Sequence, residues 1–234
     1  VAIIIAVPIG IYSAIHQYSI IDYFVTALAF FGQSMPTFWT GLMAMAIFSV
    51  ALGWFPTSGV RTAGSEGDII EALGRVLSFG RSHPELAGQE WATIVDGLKH
   101  LALPAGVLVF FNLATWSRYT RTSMLEVLRQ DYMRTARAKG LAERFVILKH
   151  GLRNALIPLI TILALRIPSL FGGALITETI FSWPGMGRML IDSIAGVDWP
   201  VVQGILVISS FLVVFSNFLG DLAYAWVDPR IQYS

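Results

Sequence analysis

Three kinds of side chain in this 234-residue chain have the chemistry to bind, titrate or hold a charge away from water: four histidines, a few isolated carboxylates, and Arg166. The histidines, His16, His83, His100 and His150, contain no i, i+4 pair of the kind that holds zinc on one helix face, and there is no cysteine for a thiolate site or a disulfide. The sequence also lacks Gly-x-x-x-x-Gly-Lys-Ser/Thr, Gly-x-Ser-x-Gly and His-Glu-x-x-His. A phosphate-cradling loop, an esterase elbow and a zinc-hydrolase helix are therefore not expected, and no residue is assigned a catalytic or metal-ligating role. Arg166 is different. It stands eight residues past Pro158 in an apolar run, about 12 Å along a helix. A cation at that depth costs several kcal/mol unless it is paired or hydrated. Arg166, Ser169, Gly173 and Thr177, at i, i+3, i+7 and i+11, would form one small or polar helical stripe able to line a water-filled path. A structural ion pair to a neighbouring chain explains the arginine equally well. Glu178 and Asp221 lie near the ends of apolar runs, within reach of water. Asn112, Thr115, Ser210 and Asn217 read as hydrogen bonds between helices.

The elements that must position these residues follow from composition. Hydrophobic residues make up 55% of the chain and charged residues 13%, with a mean hydropathy of +0.66. An ordinary soluble domain carries about 25% charge, so the fold class is an all-α membrane protein, a polytopic helical bundle. Five apolar runs have the length or character of spans: 1–15, 23–52, 101–122, 158–181 and 201–220. The first has neither an initiating methionine nor a basic flank. It reads as the tail of a span that begins upstream, so one or more N-terminal spans are expected before it. The second is too long for one crossing, and Gln33-Ser34-Met35-Pro36 predicts a break near Ser34.

Orientation follows from the basic residues. Residues 117–157 hold nine of the sixteen lysines and arginines against three acids, whereas residues 53–100 hold four basic residues against six acids. The first stretch is expected in the cytoplasm and the second outside, which places the C-terminus in the cytoplasm. One transmembrane domain, 1–234, is then expected to carry a 53–100 external loop, with a possible short helix over 69–77, and a 123–157 cytoplasmic loop. Within the latter, Leu125, Leu128 and Tyr132 continue the third span as one amphipathic helix. Gly140 is placed as a C-terminal cap after Arg137 and Lys139. A second short helix over 142–152 leads to Pro158 at the first turn of the next span. A positive-inside loop needs basic residues for orientation alone. It does not need the order helix, glycine elbow, helix, nor alanines where solvation favours lysine and glutamate.

These residues carry a resemblance. Asp131-Tyr132-Met133-Arg134-Thr135-Ala136-Arg137-Ala138-Lys139-Gly140-Leu141, followed by His150-Gly151-Leu152-Arg153-Asn154-Ala155-Leu156-Ile157-Pro158, resembles the "EAA" loop of permease subunits of type I ATP-binding-cassette importers. The form is that of the oligopeptide/dipeptide branch and closest to its first permease. Arg134-Thr135-Ala136 stands where many members have Glu-Ala-Ala, and the Gly140–Pro158 gap is longer than the general pattern. The likeness extends through Ser34-Met35-Pro36-Thr37-Phe38-Trp39, Gly53-Trp54-Phe55-Pro56, Thr177-Glu178-Thr179-Ile180-Phe181-Ser182-Trp183-Pro184-Gly185-Met186-Gly187, Asp198-Trp199-Pro200-Val201-Val202-Gln203-Gly204 and Asp228-Pro229-Arg230. It covers most of the chain apart from a portion of the external loop.

What the resemblance implies is a channel-forming, non-catalytic subunit of an ATP-driven peptide importer in the cell (inner or plasma) membrane. Ala136, Arg137, Ala138, Lys139, Gly140 and Leu141 would couple to an ATPase. Trp183, Pro184, Gly185 and Gly187 would belong to an external gate, although two interfacial tryptophans around a turn are the plainer reading of those residues. The implied partners are a second homologous permease, two ATP-binding-cassette ATPases, an extracytoplasmic substrate-binding protein and the lipid bilayer, with no nucleic acid. No cofactor is assigned to this chain, and ATP and magnesium would sit in the partner subunits. The alternative from another mechanism class is a proton- or ion-coupled secondary transporter, which predicts acidic relays inside the spans. Within the same class, nickel, opine or haem import is not separated from peptide import.

Overall fold

A computed structural model describes residues 1–63, 70, 72–74, 84–171 and 173–227. The described residues are helices and connections, with no strand among them. The expected 69–77 helix falls largely outside them, as does Asp228-Pro229-Arg230. By length and apolarity Glu90–Leu128, Glu143–Leu163 and Trp199–Leu219 are each able to cross a membrane, a further broken pair runs Ile20–Ser34 and Thr37–Ala51, and Ala2–Ile15 is a shorter apolar helix. The chain divides into two compact units.

The first unit comprises Val1–Met35, Val109–Gly172 and Trp199–Ser234. Helix α1 (Ala2–Ile15) turns Ala6, Gly10, Ser13 and Ala14 inward. These small residues let it approach α4 (Pro84–Leu128) closely: a Cβ at Gly10 would lie 2.6 Å from Thr120 Cβ and 2.7 Å from the Ser117 carbonyl oxygen. Two apolar layers continue the contact. Ala6 packs with Trp116 and Leu159, and Ala14 with Met124, Ile147 and Ala155. Helix α2 (Ile20–Ser34) is capped by Ser19, whose hydroxyl accepts the Asp22 N–H at 3.1 Å. It stops where expected, because Met35 and Pro36 are both extended (φ −80°, ψ 133° and φ −63°, ψ 135°). Helix α5 (Asp131–Ala138) and α6 (Glu143–Phe145) flank Gly140. A π-helical segment, Val146–Leu152, then runs straight into α7 (Arg153–Phe171), along which α10 (Trp199–Val227) packs.

The second unit comprises Pro36–Leu108 and Gly173–Asp198. Helix α3 (Thr37–Ala44) passes into a π-helical segment, Met45–Ala51, and packs against α8 (Leu175–Ile180). Gly41 permits that contact, since a Cβ there would sit 3.3 Å from Ile180 Cδ1. The Gly59 N–H donates to the carbonyl of buried Phe181 at 2.8 Å. Helix α9 (Met186–Ala195) packs against α8. Thr62 donates its N–H and hydroxyl to Asp96 at 2.8 and 2.6 Å.

Four sequence expectations change. Helix α4 begins at Pro84, so the last part of the expected 53–100 loop is helical: its acids ended the apolar run without ending the helix, and proline suits a first turn. The amphipathic helix through Leu125, Leu128 and Tyr132 is two helices. Gln130, extended at φ −72°, ψ 149°, separates them and begins α5. Pro158 lies inside α7, not at the first turn of a span, because the helical path is already established from Glu143. The 158–181 run is not one helix. It ends at Phe171 and resumes at Leu175 beyond Gly173 (φ +73°), a left-handed conformation that breaks a right-handed helix.

Candidate functional site

The 131–152 hairpin is built around one internal anchor and one elbow. Met133 and Ala136, three apart on α5, are buried with Val146, with Val127 and Leu128 packed alongside. Gly151 keeps the facing segment thin enough for this, since a Cβ there would already touch Met133 Cε at 3.4 Å. Asp131 occupies the first turn of α5, where a carboxylate opposes the helix dipole. At the other end the Lys139 N–H donates to the Thr135 carbonyl at 3.1 Å and the Gly140 N–H to the Arg137 carbonyl at 2.9 Å. Gly140 has φ +74°, so the helix closes with a left-handed glycine, as its spacing from Arg137 and Lys139 suggested. Across this elbow the Arg137 guanidinium holds Glu143 through Nε (3.1 Å to both oxygens) and Nη2 (2.9 Å to Oε1). Those hydrogen bonds hold the Arg137 guanidinium pKa above its ordinary value.

Of the six residues expected to couple to a partner, five are exposed: Arg137, Ala138, Lys139, Gly140 and Leu141. Ala136 faces inward and belongs to the anchor instead. The alanine-rich pattern therefore serves two faces, one packing against the chain's own Val146 and one left open.

The expected stripe Arg166, Ser169, Gly173, Thr177 is not one helical face. Arg166 is exposed on α7, and Ser169 is on the same helix with its side chain outside the described residues. Gly173 lies past the helix end, and Thr177 is buried on α8. The spacing was right for an unbroken helix, and the left-handed Gly173 breaks it.

Trp183, Pro184 and Gly185 lie in the turn between α8 and α9 and Gly187 is the second residue of α9, and here the structure adds a residue that spacing undervalued. Glu178 does not simply reach for water. Its Oε1 accepts the Ala174 N–H at 2.8 Å and its Oε2 the Arg188 N–H at 2.9 Å. Its main-chain carbonyl accepts the Trp183 N–H at 2.8 Å. A carboxylate flanked by Gly173, Gly185 and Gly187 was the available signal.

A second residue missed in the sequence is Asp22, which is 2% exposed. It accepts Arg121 Nε at 2.9 Å and Nη2 at 3.0 Å, the Tyr18 N–H at 2.9 Å, and the Ser13 hydroxyl. The local clue was Ser19-Ile20-Ile21-Asp22, a capping-box spacing at the start of an apolar run. Its partner Arg121 lies 99 residues away, beyond any local pattern.

Residues 6–233 match the family described as "Binding-protein-dependent transport system inner membrane component". The chain is 47% identical over 232 residues to the oligopeptide transport system permease protein AppB of Bacillus subtilis (strain 168), covering 99% of this chain and 66% of that protein. It is 44% identical over 224 residues to the di/tripeptide transport system permease protein DppB of Pseudomonas aeruginosa (strain UCBPP-PA14), covering 96% and 65%. To the dipeptide transport system permease protein DppB of Escherichia coli (strain K12) it is 41% identical over 229 residues, covering 98% and 66%. The chain thus spans just under two thirds of the length of these curated relatives.

Proposed function

This chain belongs to the family of binding-protein-dependent transport system inner membrane components, and from that premise we propose that it is part of the channel-forming subunit of an ATP-driven peptide importer. The observation that carries the reading is the hairpin. An internally anchored, clamped elbow presents Arg137–Leu141 outward, a compact knob suited to a cleft on another protein, and the relatives named above are peptide permeases. In this reading the subunit is non-catalytic. A second homologous permease completes the channel, two ATP-binding-cassette ATPases bind ATP and magnesium, and an extracytoplasmic protein delivers the peptide. The 123–157 segment and the C-terminus face the cytoplasm, and residues of the 53–100 segment lie outside. Arg166 is the pathway cation, and the Trp183–Gly187 segment belongs to the external gate.

The test uses the full-length permease reconstituted in vesicles with its partner permease, ATPases and binding protein. Labelled di- and oligopeptide uptake is expected to require ATP hydrolysis and the binding protein. Uptake driven by a proton or sodium gradient without ATP would refute the reading in favour of a secondary transporter. ATP-driven uptake of nickel, opine or haem but not peptide would refute the substrate assignment alone.

A further inference from the structure

Helix α9 begins without a cap of its own. Its first flanking residue is Gly185, which offers no side chain to satisfy the leading N–H groups. The Arg188 N–H, three residues into the helix, is the one a serine or aspartate at position 185 would ordinarily receive. It donates instead to Glu178 Oε2, on the preceding helix. The other oxygen of the same carboxylate takes the Ala174 N–H at the start of α8. One side chain thereby satisfies the beginnings of two helices, and a negative group at each helix N-terminus is favoured by the dipole.

The surrounding glycines show how tightly the carboxylate is held, and they are glycines for different reasons. A Cβ at Gly185 would fall 2.2 Å from Glu178 Cδ and 2.5 Å from both carboxylate oxygens, and these are its three nearest neighbours. Yet Gly185 has φ −140° and ψ 171°, extended backbone that any residue adopts. Glycine is needed at 185 because Glu178 fills the space. Gly187 is constrained twice, since its Cβ would lie 2.8 Å from Leu175 Cα, which is backbone, and 3.0 Å from Glu178 Oε2. Gly173 has φ +73°, and its Cβ would lie 2.8 Å from the Gly187 nitrogen.

We infer that Glu178 is a positioning residue, a surrogate cap that locks α8, the Trp183–Gly185 turn and α9 into one rigid clamp, and that Gly185 exists to admit its carboxylate. The inference deepens the proposed gate and rests on it for the transport readout alone. Its structural half is read independently, from the thermal stability of the purified full-length complex.

Glu178→Gln keeps the volume but leaves one acceptor oxygen for two N–H groups. It should lower the melting temperature of the complex and reduce uptake roughly fivefold, the population equivalent of the about 1 kcal/mol that a lost cap costs. Gly185→Ala should be at least as damaging, because it expels the carboxylate. The decisive measurement is the double variant. Removing the carboxylate with Glu178→Ala clears the space the new methyl needs, so Glu178→Ala/Gly185→Ala should be no less stable than Glu178→Ala alone. If Gly185→Ala does not accumulate, its recovery by Glu178→Ala is the same readout. Gly187→Ala still meets the Leu175 backbone after Glu178→Ala, so the second substitution should restore it only in part. Losses that simply add in the Glu178/Gly185 pair, or a wild-type melting temperature for Glu178→Gln, would overturn the inference. A lower melting temperature with unchanged uptake would overturn the positioning role in transport. Absence of peptide uptake by the wild-type complex would count against the proposed function and leave the stability cycle standing.

Discussion

Gly140 gives the sharpest test of the hairpin, because its environment separates two costs that are usually mixed. Its φ of +74° disfavours any residue with a Cβ, yet a Cβ built there meets nothing within 4 Å. Adding a Cβ therefore carries a backbone penalty and no steric one among the described residues. For an ordinary L-residue the left-handed region costs about 1–2 kcal/mol, less for asparagine and more for a β-branched side chain. Opposing it is the Arg137–Glu143 clamp, partly exposed and worth up to about 1 kcal/mol. Gly140→Asn should thus leave the elbow intact. Gly140→Ala should weaken it by about five- to thirtyfold in population, and Gly140→Val should open it. The assay is ATP-driven uptake and substrate-stimulated ATP hydrolysis in the reconstituted complex, normalised to permease in the membrane. Activity should fall in the order Gly, Asn, Ala, Val at equal abundance. Full uptake by Gly140→Val would refute the elbow's role. An asparagine variant as inactive as valine would refute the backbone explanation and place the constraint in whatever receives the knob.

Two further outcomes test the first unit. Asp22→Asn removes the charge that Arg121 grips with two nitrogens, leaving a guanidinium about one-third exposed. With partial access to water the cost should fall to about 2–3 kcal/mol, below the usual range for breaking a buried pair. Thermal unfolding should show it, and an unchanged midpoint would discard the network as a stability element. Gly10→Val places atoms where Thr120 Cβ and the Ser117 carbonyl already stand. It should cost about 1–3 kcal/mol as α1 is pushed from α4, and wild-type stability would mean that the close approach is not needed.

The sequence was most legible where one residue dictates backbone geometry. Pro36 ends α2 because proline and its predecessor both prefer extended backbone, and Gly140 closes α5 because glycine takes a φ of +74° without strain. It was less legible where composition stood in for conformation. Glu90, Asp96 and Lys99 ended an apolar count, yet glutamate and lysine are good helix formers, one aspartate costs little, and α4 runs through them. Phe171 to Leu175 stayed apolar, so the hydropathy of the 158–181 run gave no sign of the break, and the paired glycines at 172 and 173 were the overlooked cue. Arg166 and Thr177 consequently do not share a helix. Long-range polar contacts were illegible for another reason. Asp22 with Arg121, and Glu178 with the Arg188 N–H, are defined by folding, and their local sequence announces at most the cap on one side.

The distribution of side-chain size argues for the solvent this fold was shaped by. The inward face of α1 is Ala6, Gly10, Ser13 and Ala14, whereas α10 leaves Val207, Phe211 and Val214 about two-thirds exposed, at 68%, 67% and 68%. In water that arrangement would be inside out, since burying the large apolar groups is what stabilises a soluble fold. In a bilayer, lipid tails already satisfy phenylalanine and valine, and helices hold together through close backbone approach and hydrogen bonds. Gly10 against Thr120, Ser123 donating to the Ala155 carbonyl at 2.8 Å, and Ser13 with Asp22 and Arg121 are contacts of that kind. The same logic governs the second unit, where Gly41 lets α3 meet Ile180 and Gly185 lets Glu178 cap its neighbour. Gly10, Gly41 and Gly185 mark where helices are fixed to one another, and the large side chains left exposed on α10 mark a face suited to lipid.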